Sequence, residues 1–300
     1  MANSTTSTGE RGNGLLRLGA LDVPDGAFVV MAIVNRTPDS FYDRGATFEL
    51  AAAVERVDRV VAEGADMVDV GGVKAAPGED VDAREEIRRT VDLVAAIRAA
   101  HPTLPISIDT WRAEVAKEAL AAGADVVNDA WGGVDPDLAA VAADAGAGIV
   151  CTHAGGLPPR TRPHRVQYED VVADIVARTT ALAEAAVAAG VDRDRVLVDP
   201  GHDFGKNTRH SLEATRRLDD LVATGWPVLV ALSNKDFVGE TLDVPLEGRL
   251  TGTLATTAVS AWLGARVFRA HDVAPTRQTL DMVASIRGDR PPAHTVRGLA

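Results

Sequence analysis

Short apolar runs in this 300-residue sequence end, one after another, in residues able to hydrogen-bond, pair charge or ligate metal. The first run is followed by Asn35-Arg36-Thr37-Pro38-Asp39-Ser40-Phe41. The second closes in Asp69-Val70-Gly71-Gly72, the third in Asp109-Thr110 and the fourth in Asn128-Asp129. His153 follows the fifth and Asp199-Pro200-Gly201 the sixth. Ser233-Asn234-Lys235 follows the seventh and Arg269-Ala270-His271-Asp272 the eighth. Asp109, Asn128 and Asp199 suit a flat, nitrogen-rich ring that offers donors and acceptors. Lys235, Arg269 and His271 suit an anion such as pyrophosphate. Asn35 adds an oxygen that can ligate Mg²⁺ without adding charge. Together these groups describe a heterocycle carrying a phosphate leaving group.

Such groups need a frame. The apolar runs Phe28–Val34, Met67–Val70, Ile106–Ile108, Val126–Val127, Gly148–Cys151, Val196–Val198, Val228–Leu232 and Arg266–Phe268 read as buried parallel strands. Ala-rich segments with helical spacing lie between them: Leu50–Ala62, Ala83–Ala99, Glu114–Ala122, Tyr168–Ala189 and Leu250–Leu263. Gly64, Gly123 and Gly146 stand where helices should end before the next strand. Eight strand–helix units in one α/β domain predict a (β/α)8 TIM barrel, whose active site lies at the C-terminal ends of its strands. A doubly wound open sheet is the competitor, but no Gly-rich fingerprint follows the first strand. The domain reading is a flexible tail over 1–20, a barrel over 21–287 and a second flexible tail over 288–300.

Composition narrows the function. The 43 acidic against 31 basic side chains give a net charge of -12, which argues against nucleic acid or an anionic membrane as the main partner. One cysteine, Cys151, excludes an intrachain disulfide framework, and its apolar setting makes it a core residue. No apolar run approaches the ~20 residues a membrane span needs, and the first residues lack a secretory core. A cytoplasmic protein is expected. Gly201–Lys206 superficially resembles a phosphate loop but lacks the Walker spacing. His202 and Asp203 are expected to face solvent.

The strand-end segments resemble those of dihydropteroate synthases over nearly the whole barrel. The family's Asn-x-Thr-Pro-Asp-Ser-Phe is Asn35 to Phe41, its Asp-x-Gly-Gly is Asp69 to Gly72, and its Ser-Ile-Asp-Thr is Ser107 to Thr110. Its Asn-Asp is Asn128-Asp129. Its Asp-Pro-Gly with a downstream Phe-Gly-Lys is Asp199 to Gly201 with Phe204 to Lys206. Its Ser-x-Lys is Ser233 to Lys235 and its Arg-x-His-Asp-Val is Arg269 to Val273. The resemblance implies a transferase of folate biosynthesis. It would condense 6-hydroxymethyl-7,8-dihydropterin pyrophosphate with p-aminobenzoate, with Mg²⁺, as a homodimer. Asp109, Asn128, Asp199, Phe204 and Lys235 would then bind the pterin. Asn35, Arg269 and His271 would hold pyrophosphate, and Asn35 the metal. Asp109, Lys235, Arg269 and His271 would form the catalytic set.

The second substrate's side departs from the family. Where the family reads Glu-Ser-Thr-Arg-Pro-Gly, this chain reads Val73-Lys74-Ala75-Ala76-Pro77-Gly78. The family's Ser-Arg-Lys-Ser is Ser233-Asn234-Lys235-Asp236, and a carboxylate there would repel a benzoate. The family's Leu-Met-His-Met is Cys151-Thr152-His153-Ala154, which shrinks the apolar wall beside the pterin. Arg36 and Arg44 are further departures. Two alternatives to a working synthase follow. One is a paralogue that keeps a pterin and pyrophosphate pocket but lacks synthase activity or uses another acceptor. The other is a pterin-binding methyltransferase, against which Lys235 and Arg269-x-His271 argue.

Overall fold

The computed structural model describes residues 15–35, 45–75, 77–78, 80–161 and 166–297. It opens with a hairpin of two short strands, β1 (Leu16–Leu18) and β2 (Leu21–Val23). Eight parallel strands follow: β3 (Val29–Asn35), β4 (Met67–Gly71), β5 (Ile106–Asp109), β6 (Val126–Asp129), β7 (Gly148–Thr152), β8 (Val196–Asp199), β9 (Leu229–Ala231) and β10 (Val267–Ala270). Their order is β8-β7-β6-β5-β4-β3-β10-β9. A parallel bridge between Val198 and Val228, with Val198 N–H donating to Pro227 C=O at 3.0 Å, closes β8 onto β9. The sheet is therefore the expected barrel and not an open doubly wound sheet. Each apolar run forms its strand, and several strands run one or two residues further into the polar groups.

Helices separate the strands: α1 (Gly45–Ala62), α2 (Ala83–Ala100), α3 (Ala113–Ala121), α4 (Leu138–Asp144), α5 (Val171–Ala188), α6 (Thr208–Arg216), α7 (Leu218–Val222), α8 (Asp236–Leu242), α9 (Leu250–Leu263) and α10 (Val273–Arg287). Strand side chains alternate between two apolar layers. Val30, Ala32, Val68, Ile106, Ile108, Ile149, Cys151 and Val198 face outward and pack under the helices. Val29, Met31, Met67, Val126, Val150, Leu197, Leu229 and Val267 face inward and fill the barrel's lower half. Leu16, Leu18 and Val23 belong to that inner cluster. The hairpin thus plugs the barrel, which corrects the placement of residues 15–20 in a tail. Its turn needs Gly19 at φ 56, because a Cβ there would meet Asp125 Cγ at 2.6 Å.

A repeated clamp fixes the strand starts. Gly64 and Gly123 end their helices at φ 101 and 114. Two residues on, Asp66 accepts from Val30 N–H at 2.7 Å and Asp125 from Ile106 N–H at 2.8 Å. An arginine from a neighbouring helix completes each clamp. Arg277 bonds Asp66 and Gly64 C=O, and Arg98 bonds Asp125 at 2.5 Å and Gly123 C=O at 2.9 Å. At the third Gly-Ala, Arg195 reaches Gly146 C=O at 2.9 Å with no aspartate in the sequence there. Asp125→Ala orphans the Ile106 N–H and takes the carboxylate from Arg98, which keeps only backbone carbonyl acceptors. It should cost roughly 2 kcal/mol in urea unfolding. Glu213→Ala, at an exposed pair with Arg216, should cost less than about 1 kcal/mol.

Candidate functional site

The inward face of the strands changes chemistry halfway up. Two residues beyond Met67 on that face comes Asp69, beyond Val126 comes Asn128, beyond Leu197 comes Asp199 and beyond Val267 comes Arg269. On β3 the series Met31, Ile33, Asn35 ends in the amide. The apolar floor thereby carries a polar layer at the C-terminal mouth. The expected groups on these strands meet there.

Arg269 is the centre of the layer. Its Nε donates to Asp69 Oδ2 at 2.6 Å and its Nη2 to Asp109 Oδ2 at 2.8 Å. Asn128 Nδ2 lies 3.4 and 3.3 Å from the two oxygens of Asp69. Asp69 is fully buried and joins the site, a role its Asp-x-Gly-Gly motif does not reveal by itself. Its signal is an acid in the middle of an apolar strand. Burial pushes the Asp109 carboxyl up to about 7, Arg269 opposes this, and Asp69 and Glu86 add to it. Burial likewise raises Asp199, whose Oδ1 accepts from Gly201 N–H at 2.7 Å, against the pull of that bond and of Lys235.

Lys235 follows β9. Its Nζ donates to His202 C=O at 2.9 Å and stands 4.3 Å from the centroid of the Phe204 ring, within cation–π range. Trp131 packs edge-on against Phe204 at 5.0 Å, and Trp111 packs on Trp131 at 6.4 Å. Loops after β5, β6 and β8 thus form one aromatic row. His271 N–H donates to Ser233 Oγ at 3.2 Å, and its Nδ1 is 3.1 Å from the same oxygen. Ser233 donating to Nδ1 satisfies both contacts and leaves the ring proton on Nε2. Desolvation of the ring, with Arg269 nearby, lowers His271 to about 4. The residue stands exposed at the rim of the mouth, and in this tautomer it presents the Nε2 proton there.

Behind the mouth a buried lysine holds the loop that carries Phe204. Lys206 Nζ lies 3.0 Å from the carbonyls of His153, Gly201 and Phe204 and 2.6 Å from His153 Nδ1. His153 Nε2 is 2.7 Å from Asp174 on α5. A neutral His153 that accepts from Lys206 and donates to Asp174 satisfies all three groups. Burial lowers Lys206 to about 7 and His153 to about 4. His202 and Asp203 do not face solvent. His202 stacks on Phe237 at 5.5 Å and meets Thr215 Oγ1 at 2.9 Å. Asp203 accepts the first N–H groups of α8, from Asp236 at 2.7 Å and Phe237 at 3.3 Å. Apart from the carbonyls of Gly201 and Phe204, these contacts span 13 to 53 residues, so local patterns could not show them.

On the second-substrate side, Asp236 is 79% exposed and ion-paired with Arg249 at 2.8 Å. Its charge is compensated there, which weakens the expected repulsion of a benzoate. Ala75 is exposed in the loop after β4. The Arg160 guanidinium sits over Gly78, where a Cβ would be 2.8 Å from Nη2. Ala76, the stretch from Arg36 to Arg44, and Arg162 and Arg165 in the loop after β7 lie outside the described residues. For a metal, Asn35 Oδ1 lies 3.0 Å from where a Gly71 Cβ would be, and Asp109 Oδ2 lies 3.8 Å from that point. The glycine keeps space open beside the amide oxygen. Among the described residues no three His, Cys, Asp or Glu side chains cluster as a metal site. The donor set fits Mg²⁺ that takes most of its oxygens from phosphates and water.

The family model described as pterin binding enzyme matches residues 31–271, which reaches all eight strands of the closed barrel and takes in its polar mouth. Within that class, the chain belongs to the dihydropteroate synthase family. It is 38% identical over 247 residues to the dihydropteroate synthase of Bacillus subtilis, covering 82% of this chain and 84% of that one. It is 63% identical over 276 residues to a Mycobacterium tuberculosis protein named inactive dihydropteroate synthase 2, covering 91% of this chain and 87% of that one. The fold matches a dihydropteroate synthase of Xanthomonas albilineans solved with 4-aminobenzoic acid. The TM-score is 0.83 at 36% identity, with 91% of this chain and 99% of that one covered.

Two measurements test the site's electrostatics. Arg269→Met strands two carboxylates and should cost about 3 kcal/mol in urea unfolding, part of which Asp69→Asn in the same chain should restore. Burial lowers His202 to about 3, so the unfolded chain takes up its proton near 6.5 while the folded chain does not. That contribution to stability is lost as pH falls from 6.5 toward 3. The Tm gap between the native chain and His202→Gln should therefore narrow from pH 7 to pH 4. A widening gap would mean the folded imidazole holds its proton.

Proposed function

We propose that this chain is a divergent dihydropteroate synthase paralogue that keeps the pterin and pyrophosphate pocket but has lost efficient coupling to p-aminobenzoate. The observation that carries this is the one-sidedness of the change. The ring-binding and anion-binding groups on β3 to β10 stand assembled at one mouth, with Arg269 joined to Asp69 and Asp109. The loop after β4 presents Ala75-Ala76 in place of the family's Thr-Arg. The relatives 62–63% identical to this chain are themselves named inactive.

In this reading Asp109, Asn128 and Asp199 grip the polar edge of a dihydropterin, while Phe204 and Lys235 border its ring. Synthase chemistry breaks the bond between methylene carbon and pyrophosphate oxygen as an amine nitrogen bonds the carbon. Arg269 and the Nε2–H of His271 would take the charge that grows on pyrophosphate. Asp109 and Asp199 would balance the electron-poor pterin. Mg²⁺ beside Asn35 would neutralise phosphate oxygens. The ion pairs of Arg269 set a condition: the guanidinium must exchange a carboxylate for phosphate before it serves the leaving group.

The same reading makes the chain a cytoplasmic homodimer. No described helix is long and apolar enough to cross a membrane. Val259 and Trp262 on α9, with Met282 and Ile286 on α10, are exposed on two helices that pack together. That face is the one proposed to meet a second copy.

The test mixes protein, Mg²⁺, 6-hydroxymethyl-7,8-dihydropterin pyrophosphate and labelled p-aminobenzoate, and counts labelled dihydropteroate. The pterin pyrophosphate should bind while product stays near background. Ala75→Thr with Ala76→Arg and Asp236→Ser should raise product. Robust product from the unaltered chain would instead show that Lys74 or another cation replaces the lost arginine.

A further inference from the structure

Thr152 ends β7 on the face of Val150, which belongs to the barrel interior, while Ile149 and Cys151 belong to the outer layer. In register, Thr152 stands level with Asp199, and Asn128 stands level with Val150. Thr152 is therefore placed next to Asp199 across β7 and β8 and one inward step above Asn128. The residue is 2% exposed, and its Oγ1 has no hydrogen-bond partner in the protein. Its methyl Cγ2 is turned to the turn at Gly201, lying 3.1 Å from where a Cβ would be. The neighbouring polar groups differ: Asp69, Asp109, Asn128 and Asp199 all have protein partners. Ser107 Oγ is also unpartnered, but it is level with Val126 of the apolar floor, below the layer of Asn128.

Burying a hydroxyl without a partner is unfavourable, whereas a ligand atom that meets it recovers the bond. We propose that Thr152 is a specificity-determining residue of the pocket. Its hydroxyl hydrogen-bonds a ring heteroatom of the bound heterocycle, between the contacts made by Asn128 and Asp199. Three consecutive strands, β6, β7 and β8, then read one polar edge with an amide, a hydroxyl and a carboxylate. The ligand class that satisfies them is a fused, nitrogen-rich ring with at least three polar atoms along that edge. The inference rests on the pterin-pocket reading above.

Isothermal titration of the full chain with 6-hydroxymethyl-7,8-dihydropterin pyrophosphate and Mg²⁺, without p-aminobenzoate, tests it apart from turnover. Thr152→Val keeps the shape and removes the hydroxyl. Its Kd should rise about fivefold, the loss expected for one neutral hydrogen bond. Its Tm should hold or rise, because no protein partner is lost. Thr152→Ser keeps the hydroxyl and should bind within about twofold of the native chain. Equal affinity of Thr152→Val and the native chain would overturn the proposal, and so would a fall in Tm with Kd unchanged, which would mark a structural hydroxyl. If the native chain itself fails to bind, the pterin reading falls and this assignment falls with it.

Discussion

One guanidinium makes the polar mouth possible. Asp69, Asp109 and Asp199 lie inside a barrel whose lower half is aliphatic, where an unpaired carboxylate costs several kcal/mol. Arg269 reaches two of them from β10, at 2.6 and 2.8 Å, across strands β3 and β4. Burial pushes the Asp109 carboxyl upward against the pull of Arg269. Such a layer is stable enough to exist and polar enough to want a ligand. A ring with donors along one edge supplies what the carboxylates lack, and phosphate competes for the arginine they share.

The barrel makes this layer from strand alternation alone. An inward residue in the floor and the inward residue two places later differ only in side chain. Met67 and Asp69, or Leu197 and Asp199, therefore share a direction and differ in function. Apolar strand runs with polar ends made the fold and most of the site readable from sequence. Asp69 was hidden because an acid inside an apolar run looks like an interruption until its partner is found 200 residues away. The hairpin plug was hidden because Leu16–Leu18 and Leu21–Val23 are three residues each, too short to show a period. Lys206, His153 and Asp174 come together only when the loops after β7 and β8 meet α5. His202 read as a loop residue, and only the fold sets it against Phe237 and Thr215.

The departures from the family follow the same division. Groups on the strands' inward face are fixed by the floor below them and by each other, so changing one disturbs its partners. The Ala75-Ala76 departure from the family falls instead on the loop after β4, where Ala75 is exposed and no strand side chain is replaced. Asp236 shows the tolerance of the rim in another form, since Arg249 absorbs its charge at the surface.

Thr152 lies at the border between these regimes. It sits on a strand, buried beside Asp199, yet it has no protein partner to hold it there. A position of that kind is free to change polarity without a penalty in the surrounding network, provided that the ligand answers the change. The Lys206 cage limits how the pocket can respond. It ties Gly201 and Phe204 to His153, directly after Thr152, so the turn after Asp199 and the end of β7 are held as one unit. Selectivity gained at Thr152 is thus delivered to the ligand by geometry, because the loop around it has little room to adjust.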